Sequence, residues 1–533
     1  MEVGKTMWVK VERVRLFPDE KDSNLKALVA GILGVEERII RSIKIIKKSL
    51  DARRHRKPVW VHTVEVELPD GVSLGKEAVP MPPWEGIAPA ILPLRRKIRP
   101  VIIGTGPAGL FAALTFARHN IPAVILERGR EVKERVKDVA NFWEKGLLDT
   151  ESNVQFGEGG AGTFSDGKLV SRTKDPLAHW VKEIFVQMGA PERILVDGKP
   201  HVGTDLLRQV VVNFRHHLIK QGCTVRFGAK LTDLVLHRDK VVGCIVNDGE
   251  QIECDLIVLA MGQSAEDTYI MLSKRGVMLA PKAFALGFRV EHPQEVINRM
   301  QYGKWWGRLE LPPADYFLST RVSGGRSVYS FCMCPGGQVI GASNHPSRIV
   351  TNGMSFSGRD GLYANSALVV PVRVSDFEEG SPLDGILYRR KWEEKAFREA
   401  KGGYFAPAEG IFSFMKGKTS PEVGETTFLP GVRAVSLAKL LPPFAVTALR
   451  EGLCVFRQKI PIFLSREANL IGVETRTSAP VRILRGEDGQ SVSIKGLYPC
   501  GEGAGYAGGI ISSALDGIRA ATRALRMVDD PIP

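Results

Sequence analysis

The sequence has few cysteines and no long apolar run. Seven cysteines are scattered over 533 residues, and this odd number argues against a disulfide-stabilised scaffold and fits a reducing compartment. No stretch approaches the roughly 18 to 20 continuous apolar residues of a membrane-spanning helix. The N-terminal segment carries charges throughout and lacks the apolar core of a secretion signal. We therefore expect a cytoplasmic protein without a membrane span.

Metal-ligand patterns are missing as well. His216 and His217 are adjacent, whereas a zinc-binding helix presents histidines at i and i+4, and no carboxylates cluster around them. Cys332 and Cys334 lack the CxxC spacing of dithiol motifs, and no second cysteine pair completes a four-ligand zinc set. The sequence thus predicts no metal site. It favours structural thiols over a redox pair at these two cysteines, and leaves both interpretations open.

The stretch 101–129 carries the clearest pattern in the chain. A short apolar run enters a glycine-rich turn at Gly104, Gly106 and Gly109, and a helical segment and a second apolar strand follow. Such a turn brings backbone N–H groups and the start of a helix toward a pyrophosphate. Glu127 lies 23 residues after Gly104, near the roughly 20-residue offset at which an acidic residue binds ribose hydroxyls. The spacing predicts a dinucleotide-binding βαβ unit.

Three later segments fit the same ligand. Residues 156–169 contain five glycines in fourteen positions, so this loop can pass close to a flat molecule. An apolar strand at 256–262 ends in a small-residue turn, and residues 497–518 run from a strand through glycines into a helix. Because ligands collect at the carboxyl ends of strands in a doubly wound sheet, we expect these segments to surround one site.

The rest of the chain divides into regions that differ in hydrophobic pattern and composition. Residues 1–78 show a βαββ order, with alternating segments near 9–16, 39–46 and 60–68 and an amphipathic helix at 25–33. Short alternating segments joined by polar loops predict an antiparallel sheet after residue 283. The predicted domains are a small basic α+β domain at 1–78, a Pro-rich linker at 79–97, a dinucleotide-binding domain at 98–282 that returns at 467–533, and an inserted substrate domain at 283–466.

Six segments together resemble the FAD-binding flavoproteins of the glutathione reductase structural superfamily: VIIGTGPAGLFAA, FGEGGAGTFSDGKL, LIVLAMG, CMCPGG, ETRTSAPVRI and LYPCGEGAGYAGGI. Residues 98–530 are similar to a bacterial family described only as FAD-dependent dehydrogenases or oxidoreductases. The resemblance implies an α/β fold in which a Rossmann-type FAD-binding domain carries an inserted, mainly antiparallel substrate domain. The small N-terminal α+β domain lies outside this common core.

The resemblance also implies which residues hold FAD. The first glycine turn would bind the pyrophosphate, Glu127 the ribose, and the last helix the flavin carbonyls. Arg128 borders this site, and we interpret it as solvent-facing rather than as a reader of a ribose 2′-phosphate; Cys500 is interpreted as a small buried residue behind the cofactor. The full predicted set is Gly104, Gly106, Pro107, Ala108, Gly109, Glu127, Arg128, Gly157, Gly159, Gly160, Ala161, Gly162, Thr163, Ala229, Lys230, Ala260, Gly262, Gly501, Glu502, Gly503, Gly509 and Ile510.

The implied activity is that of an FAD-dependent oxidoreductase, a dehydrogenase that exchanges a hydride between flavin and an unidentified small organic substrate. The chain has one full dinucleotide fingerprint, whereas disulfide reductases of the superfamily carry a second for NAD(P)H. Reduction would then come from transient docking of NAD(P)H, from another protein, or from the substrate itself. Polar residues near the glycine-rich and Ser/Thr segments are candidate substrate contacts: Lys168, Asn365, Arg476 and Thr477, with Ser478 and Arg482 beside them. No catalytic acid or base is predicted.

Two alternatives remain open. Residues 1–100 contain 20 Lys and Arg against 13 Asp and Glu, a net charge of +7, which favours a flavin-dependent protein that modifies or binds RNA or another polyanion. The basic residues concerned are Arg41, Lys44, Lys47, Lys48, Arg53, Arg54, Arg56 and Lys57. Without an aromatic stacking motif, ordinary solvated lysines explain the same charge. The second alternative is an isoprenoid or lipid reductase with a tunnel lined by Phe412, Phe414, Met415 and Phe444.

Overall fold

A computed structural model describes residues 6–53, 56–74, 78–81, 86–92, 97–171, 173–377, 380–417 and 422–529. Arg54 and parts of the predicted linker lie outside these ranges. None of the described helices is both long and apolar enough to cross a membrane.

The N-terminal sheet has the order β2-β3-β1-β4 and is covered by one helix. Its elements are β1 Thr6–Leu16, α1 Asn24–Leu33, β2 Ser42–Asp51, β3 Val59–Pro69 and β4 Ala78–Pro80. The phase shift of β1 is a bulge between Val11 and Val14, which keeps both side chains buried on one face. Strand β2 begins later than predicted, because residues 37–39 form a 3-10 turn. The predicted amphipathic helix is α1, which buries Leu25, Val29 and Leu33 and leaves Leu28 36% exposed.

The N-terminal sheet extends into the segment predicted as linker. Val79 and Pro80 pair with Lys10 and Val9. Pro80 lacks an N–H donor, and an edge strand such as β4 tolerates that loss. The sheet also contacts residues 196–198 through the backbone of Lys48. The Lys48 N–H donates to the Val196 carbonyl at 2.8 Å, and the Lys48 carbonyl accepts from Gly198 N at 2.7 Å.

The central unit is built on a five-stranded, fully parallel sheet with the order β23-β11-β5-β6-β7. Its elements up to residue 274 are β5 Pro100–Ile103, α2 Pro107–Arg118, β6 Val124–Leu126, α3 Val132–Lys145, α4 Leu177–Gln187, α5 Thr204–Lys220, β7 Thr224–Arg226, β8 Leu231–His237, β9 Lys240–Val246, β10 Glu250–Glu253, β11 Leu256–Leu259 and α6 Glu266–Lys274.

The apolar strands of this sheet are buried on both faces. Ile102 packs in the cluster that contains helices α2, α4 and α5. Val101 and Ile103 point the other way, toward the three-stranded sheet β10-β9-β8 and helix α6. This double cover explains why the strands are continuous apolar runs rather than alternating ones.

The inserted region forms a seven-stranded sheet with the order β14-β15-β18-β13-β21-β19-β20, antiparallel except for the β19–β20 pair. Its elements are β12 Leu279–Pro281, β13 Phe284–Pro293, α7 Gln294–Tyr302, β14 Ser319–Arg321, β15 Ser327–Cys334, β16 Gly337–Gly341, β17 Thr351–Ser355, β18 Tyr363–Val372, α8 Asp384–Glu399, β19 Ala406–Gly410, α9 Ile411–Lys416, β20 Val432–Ala434, α10 Pro443–Lys459 and β21 Asn469–Glu474.

The chain then returns to the parallel sheet through β22 Val481–Ile483, β23 Leu497–Pro499 and α11 Ile510–Asp529. The sequence predicted this return at residue 467, which is too early, because β21 lies inside the seven-stranded sheet between β13 and β19. Strand β22 pairs with β12, and β23 reaches the edge of the parallel sheet beside β11. The predicted α/β fold class, with a mainly antiparallel insert and a small α+β unit at the N-terminus, is confirmed.

Candidate functional site

A cavity of about 400 Å3 lies where the carboxyl ends of the parallel strands face the inserted sheet. Its wall contains Ile103 at the end of β5, Leu126 at the end of β6, and Ala260 just after β11. The insert contributes Phe331 and Asn352 to the opposite side. The volume and the location both fit the ligand sites of doubly wound folds.

The first glycine turn forms one end of this cavity. Gly104 has φ +100°, and a Cβ there would lie 2.5 Å from the Ala260 carbonyl oxygen, so no other residue fits. Gly106 precedes α2, and Gly106, Pro107 and Ala108 line the cavity at the start of that helix. Gly109 is not among the lining residues: it packs against the Gly104 carbonyl and brings helix and strand together. The turn thus presents a helix N-terminus to the cavity.

The Glu127 carboxylate links the first glycine turn to the glycine-rich loop by hydrogen bonds. The carboxylate accepts from Thr105 N at 3.0 Å, Thr105 Oγ1 at 2.7 Å, and Gly129 N and Gly157 N at 3.0 Å each. The side chain is buried and still lines the cavity. The carboxylate therefore organises the ends of β5 and β6 as well as bordering the space where the sequence predicts a ribose.

Arg128 is not solvent-facing, contrary to the expectation from sequence. Its guanidinium forms a bidentate pair with Asp267, with both N–O distances 2.9 Å, and Nε donates to Glu151 at 2.7 Å. The guanidinium also lies 4.0 Å from the ring centroid of Phe156. Lys230 joins the same group through Asp267 at 2.6 Å. These charges fix the wall at this end of the cavity, where Ala229 and Lys230 both line it.

The glycine-rich loop is anchored from behind by Arg135. This buried guanidinium donates to the carbonyls of Asn153, Val154 and Glu158 at 2.6–3.0 Å. Burial lowers its pKa to about 10, so the group stays charged at neutral pH. Of the predicted loop residues, Gly160, Ala161 and Gly162 line the cavity. The other three, Gly157, Gly159 and Thr163, are not among the lining residues and pack within the loop and against its supports.

The C-terminal glycine segment closes the cavity from the side of α11. Gly501 and Glu502 line it, as do Gly509 and Ile510 at the start of that helix, together with Ala260 and Gly262 after β11. Gly503 lies behind them, and its carbonyl accepts from the buried Tyr269 hydroxyl at 2.6 Å. Burial raises the pKa of Glu502 to about 7, and Gln263 Nε2 donates to its carboxylate at 2.9 Å. Cys500 is fully buried, as expected of a packing residue.

The predicted substrate contacts have different environments. Lys168 and Thr477 line the cavity, with Lys168 paired to Asp166 at 2.7 Å and Thr477 Oγ1 bonded to the Ala285 carbonyl at 2.8 Å. Asn365 is not among the lining residues: it is fully buried, and its side-chain Oδ1 accepts from Arg289 Nε at 2.9 Å. Arg482 is also outside the lining set, over the ring of Tyr506.

Arg476 lines the cavity as part of a buried ion cluster. It forms a bidentate pair with Glu393 through Nε and Nη2, and both N–O distances are 2.9 Å. These two donors are therefore not free to bind a substrate. Its Nη1 atom has no hydrogen-bond partner among the described residues. Glu266, at the start of α6, contacts Arg348 at 2.9 Å, Arg390 at 3.1 Å and Arg476 at 3.4 Å. Burial raises the pKa of Glu266, but the surrounding arginines outweigh burial and lower it to about 2.

Sequence reasoning missed several lining residues: Gln155, Asp166, Gln263, Ser264, Phe331, Cys332, Asn352, Glu474 and Ser513. The sequence could have indicated two of these residues. Asp166 lies within the glycine-rich loop, and Gln263 directly follows the small-residue turn after β11. Asn352 and Glu474 had no such signal, because only the tertiary pairing of the inserted strands brings them to the cavity. Among the described residues, no group of three or more His, Cys, Asp or Glu side chains is arranged to hold a metal ion.

The chain is similar along its whole length to one bacterial protein. An uncharacterized protein of Clostridium beijerinckii is 41% identical over 539 residues, which cover 98% of this chain and 100% of that protein. The chain belongs to the family of that clostridial protein. In this chain, residues 283–477 match the family model described as "FAD-dependent protein, C-terminal domain-like", and residues 9–67 match a domain of unknown function.

Solved structures show more distant similarity. The flavin-dependent brominase Bmp2 is 13% identical, with a TM-score of 0.38, over 82% of this chain and 80% of that one. The structure of CtdE in complex with FAD is 12% identical, with a TM-score of 0.32, over 81% of this chain and 87% of that one.

Proposed function

We propose that this protein is an FAD-dependent oxidoreductase that binds FAD in the cavity and exchanges a hydride with a small organic substrate. One observation carries the proposal: a single cavity is bordered by the glycine turn before α2, by the glycine-rich loop, and by the start of α11. The match of residues 283–477 to an FAD-dependent protein model supports the same cofactor.

The residues present fit an extended dinucleotide. The start of α2 supplies unpaired N–H groups and a partial positive charge for a pyrophosphate. Glu127 borders the position of a ribose, and the start of α11 favours negative charge on a reduced flavin. FAD, when bound, supplies the two-electron chemistry, while the chain positions and shields it. Gln263, Glu502 and Lys168 are among the polar side chains that would meet the cofactor or the substrate in this cavity.

An anaerobic titration tests the proposal. Purified protein reconstituted with FAD is titrated with NADH and then NADPH while its absorbance spectrum is recorded. Bleaching of the flavin band near stoichiometry would make NAD(P)H the electron donor. A flavin that stays oxidised with both but is bleached by dithionite would point to a substrate or protein donor. Protein that neither retains FAD nor permits its reduction by any donor would contradict the proposal.

A second candidate is binding of RNA or another polyanion by the N-terminal sheet. Strand β2 is an edge strand, and Lys44 and Lys47 on it are exposed. Other basic residues are engaged, since Arg53 pairs with Asp51 at 2.6 Å and Lys57 with Asp19 at 2.7 Å. Salt-sensitive RNA affinity that falls in a Lys44→Ala/Lys47→Ala variant, but not in Lys21→Ala/Lys26→Ala, would support this function. Equal affinity of both variants and the parent would contradict it.

The isoprenoid or lipid alternative finds no support in the cavity. Phe414 is fully buried and packs edge-on against Phe288. Phe412, Met415 and Phe444 pack against the same hydrophobic core of the insert. None of the four lines the described cavity. Core packing explains these side chains without a lipid tunnel.

A further inference from the structure

The cavity wall formed by β15 carries two thiols. Cys332 lines the cavity and is partly exposed, whereas Cys334 is fully buried. A regular strand places residues i and i+2 about 6.7 Å apart. Here the pairing of β15 with β18 is interrupted between Phe331 and Cys334, and Cys332 has φ +48°. The bulge turns the Cys334 side chain back toward Cys332, so that Cys334 Sγ donates to the Cys332 carbonyl oxygen at 3.4 Å.

Positive charge surrounds the pair. Arg289 is fully buried; its Nη2 donates to the Cys332 carbonyl at 3.1 Å and lies 3.8 Å from Cys334 Sγ. Lys168 Nζ contacts the carbonyl of Met333, the residue between the two cysteines. The neighbouring Cys334 thiol and these cations lower the pKa of the Cys332 thiol to about 6, although burial opposes the change. Reactive cysteines occupy electropositive, partly exposed surroundings of this kind, whereas structural thiols do not.

Both cations are also paired with carboxylates. Asp166 pairs with both Lys168 and Arg359, and Glu474 lies 3.3 Å from Arg289. Cys332 therefore lines the cavity next to backbone that contacts Lys168 and Arg289, and a carboxylate holds each of these cations in place. The start of α11, where the proposed function puts the flavin ring, lines the same cavity.

We propose that Cys332 and Cys334 form a redox-active dithiol that exchanges two electrons with the flavin. This inference rests on the proposed function. In the step, the two S–H bonds break and one S–S bond forms between Cys332 and Cys334; two electrons and two protons pass to oxidised flavin, which becomes dihydroflavin. The reverse step reduces the disulfide. Cys332 lines the cavity and is the sulfur that meets the flavin, and Cys334 is its buried partner.

Reductive titration of the holoprotein tests this inference. Air-oxidised protein is titrated anaerobically with dithionite, and the electrons consumed per flavin are counted. Flavin alone takes two electrons, and flavin with a disulfide takes four. We expect four for the parent and two for Cys332→Ser and Cys334→Ser. Cys454→Ser, on exposed surface outside the cavity, is the matched control and should take four.

A thiol count supplies an independent readout that needs no flavin. The chain has seven cysteines, all free in this structure. Flavin-free protein treated with a mild oxidant and then denatured should show two fewer reactive thiols than reduced protein. The loss should disappear in both serine variants and persist in Cys454→Ser. Two electrons per flavin in the parent, or no loss of thiols, would overturn the dithiol; failure to hold FAD would instead overturn the proposed function and leave the thiol count decisive.

Discussion

Gly106 and Gly160 face each other with no side chain between them. A Cβ built on Gly106 would lie 3.9 Å from Gly160 Cα, which is ordinary contact, so Gly106→Ala leaves the fold intact. The added methyl group would occupy the space in which a pyrophosphate approaches the turn. We expect the Kd for FAD to rise at least about tenfold, which corresponds to roughly 1.4 kcal/mol. Fluorescence titration of the apoprotein with FAD measures the change.

The control for this variant is Gly324→Ala. A Cβ at Gly324 meets nothing within 4 Å, and the residue is outside the cavity. Both variants should unfold at the temperature of the parent protein, and only Gly106→Ala should lose affinity. Unchanged FAD affinity in Gly106→Ala would show that the cofactor does not cross this turn.

Glu266 carries a second prediction, on stability. It lies among four arginines, and three of them, Arg348, Arg389 and Arg476, are buried. Glu266→Gln removes the compensating charge and leaves these guanidinium groups unbalanced, which costs about 3–5 kcal/mol when one partner of a buried pair is lost. Urea unfolding at pH 7 measures the loss. Glu310→Gln, at an exposed position, should change stability little, and an equally small effect of Glu266→Gln would contradict the prediction.

The same carboxylate predicts a pH dependence. The pKa of Glu266 falls from 4.5 to about 2 in the folded protein, because its arginine neighbours favour the ionised form. Its contribution to stability is therefore complete above pH 4.5 and is lost as the pH falls toward 2. The difference in unfolding free energy between the parent and Glu266→Gln should shrink across this window. A difference that stays constant from pH 6 to the acid limit of folding would contradict this assignment.

Glu502 has the opposite behaviour. Burial raises its pKa to about 7, so the folded protein favours the neutral acid. A carboxylate that ionises in the same cavity as the anionic cofactor would repel it. Because like charges repel more strongly in a partly desolvated cavity than in water, we expect FAD affinity to fall between pH 6 and pH 8. Glu502→Gln should flatten this profile, and identical profiles for both proteins would contradict it.

The sequence predicted the parallel sheet and the first half of the site because their signals are local. The turn at Gly104, the helix after it and the acid at Glu127 follow one another within thirty residues, and each has a fixed physical role. The glycine-rich loop and the start of α11 were predicted for the same reason: backbone that approaches a ligand closely needs small residues. These segments do lie around one cavity.

The insert was harder to predict because its contributions depend on strand pairing. Glu474 ends a strand that sequence assigned to the returning core, yet β21 pairs with β13 deep in the inserted sheet. Asn365 looked polar and available, but pairing of β18 with β13 places it against Arg289. The bulge at Cys332 is likewise invisible in the sequence, because it depends on how β15 pairs with β18. Long-range contacts decide which of these side chains reach the cavity.

Arg135 carries the last prediction, on the rigidity of the glycine-rich loop. Its guanidinium satisfies three backbone carbonyls, and its charge lies 4.9 Å from the ring centroid of Phe164 at the end of the loop. Arg135→Met keeps much of the volume but removes the donor from the Asn153 and Val154 carbonyls, while the Glu158 carbonyl still accepts from Thr163 Oγ1 at 3.0 Å. Since each such loss costs about 1–3 kcal/mol, we expect a loss of at least about 2 kcal/mol in unfolding free energy, measured by urea denaturation.

The matched control for this variant is Arg130→Met. Arg130 is about half exposed and pairs with Asp138 at 2.9 Å, a surface contact worth at most about 1 kcal/mol. If Arg135 positions the loop, its variant should also release FAD faster than the Arg130 variant at a temperature where both are folded. Equal stabilities and equal release rates would mean that the loop holds its shape without the arginine, and that the close backbone contacts around Gly157 suffice.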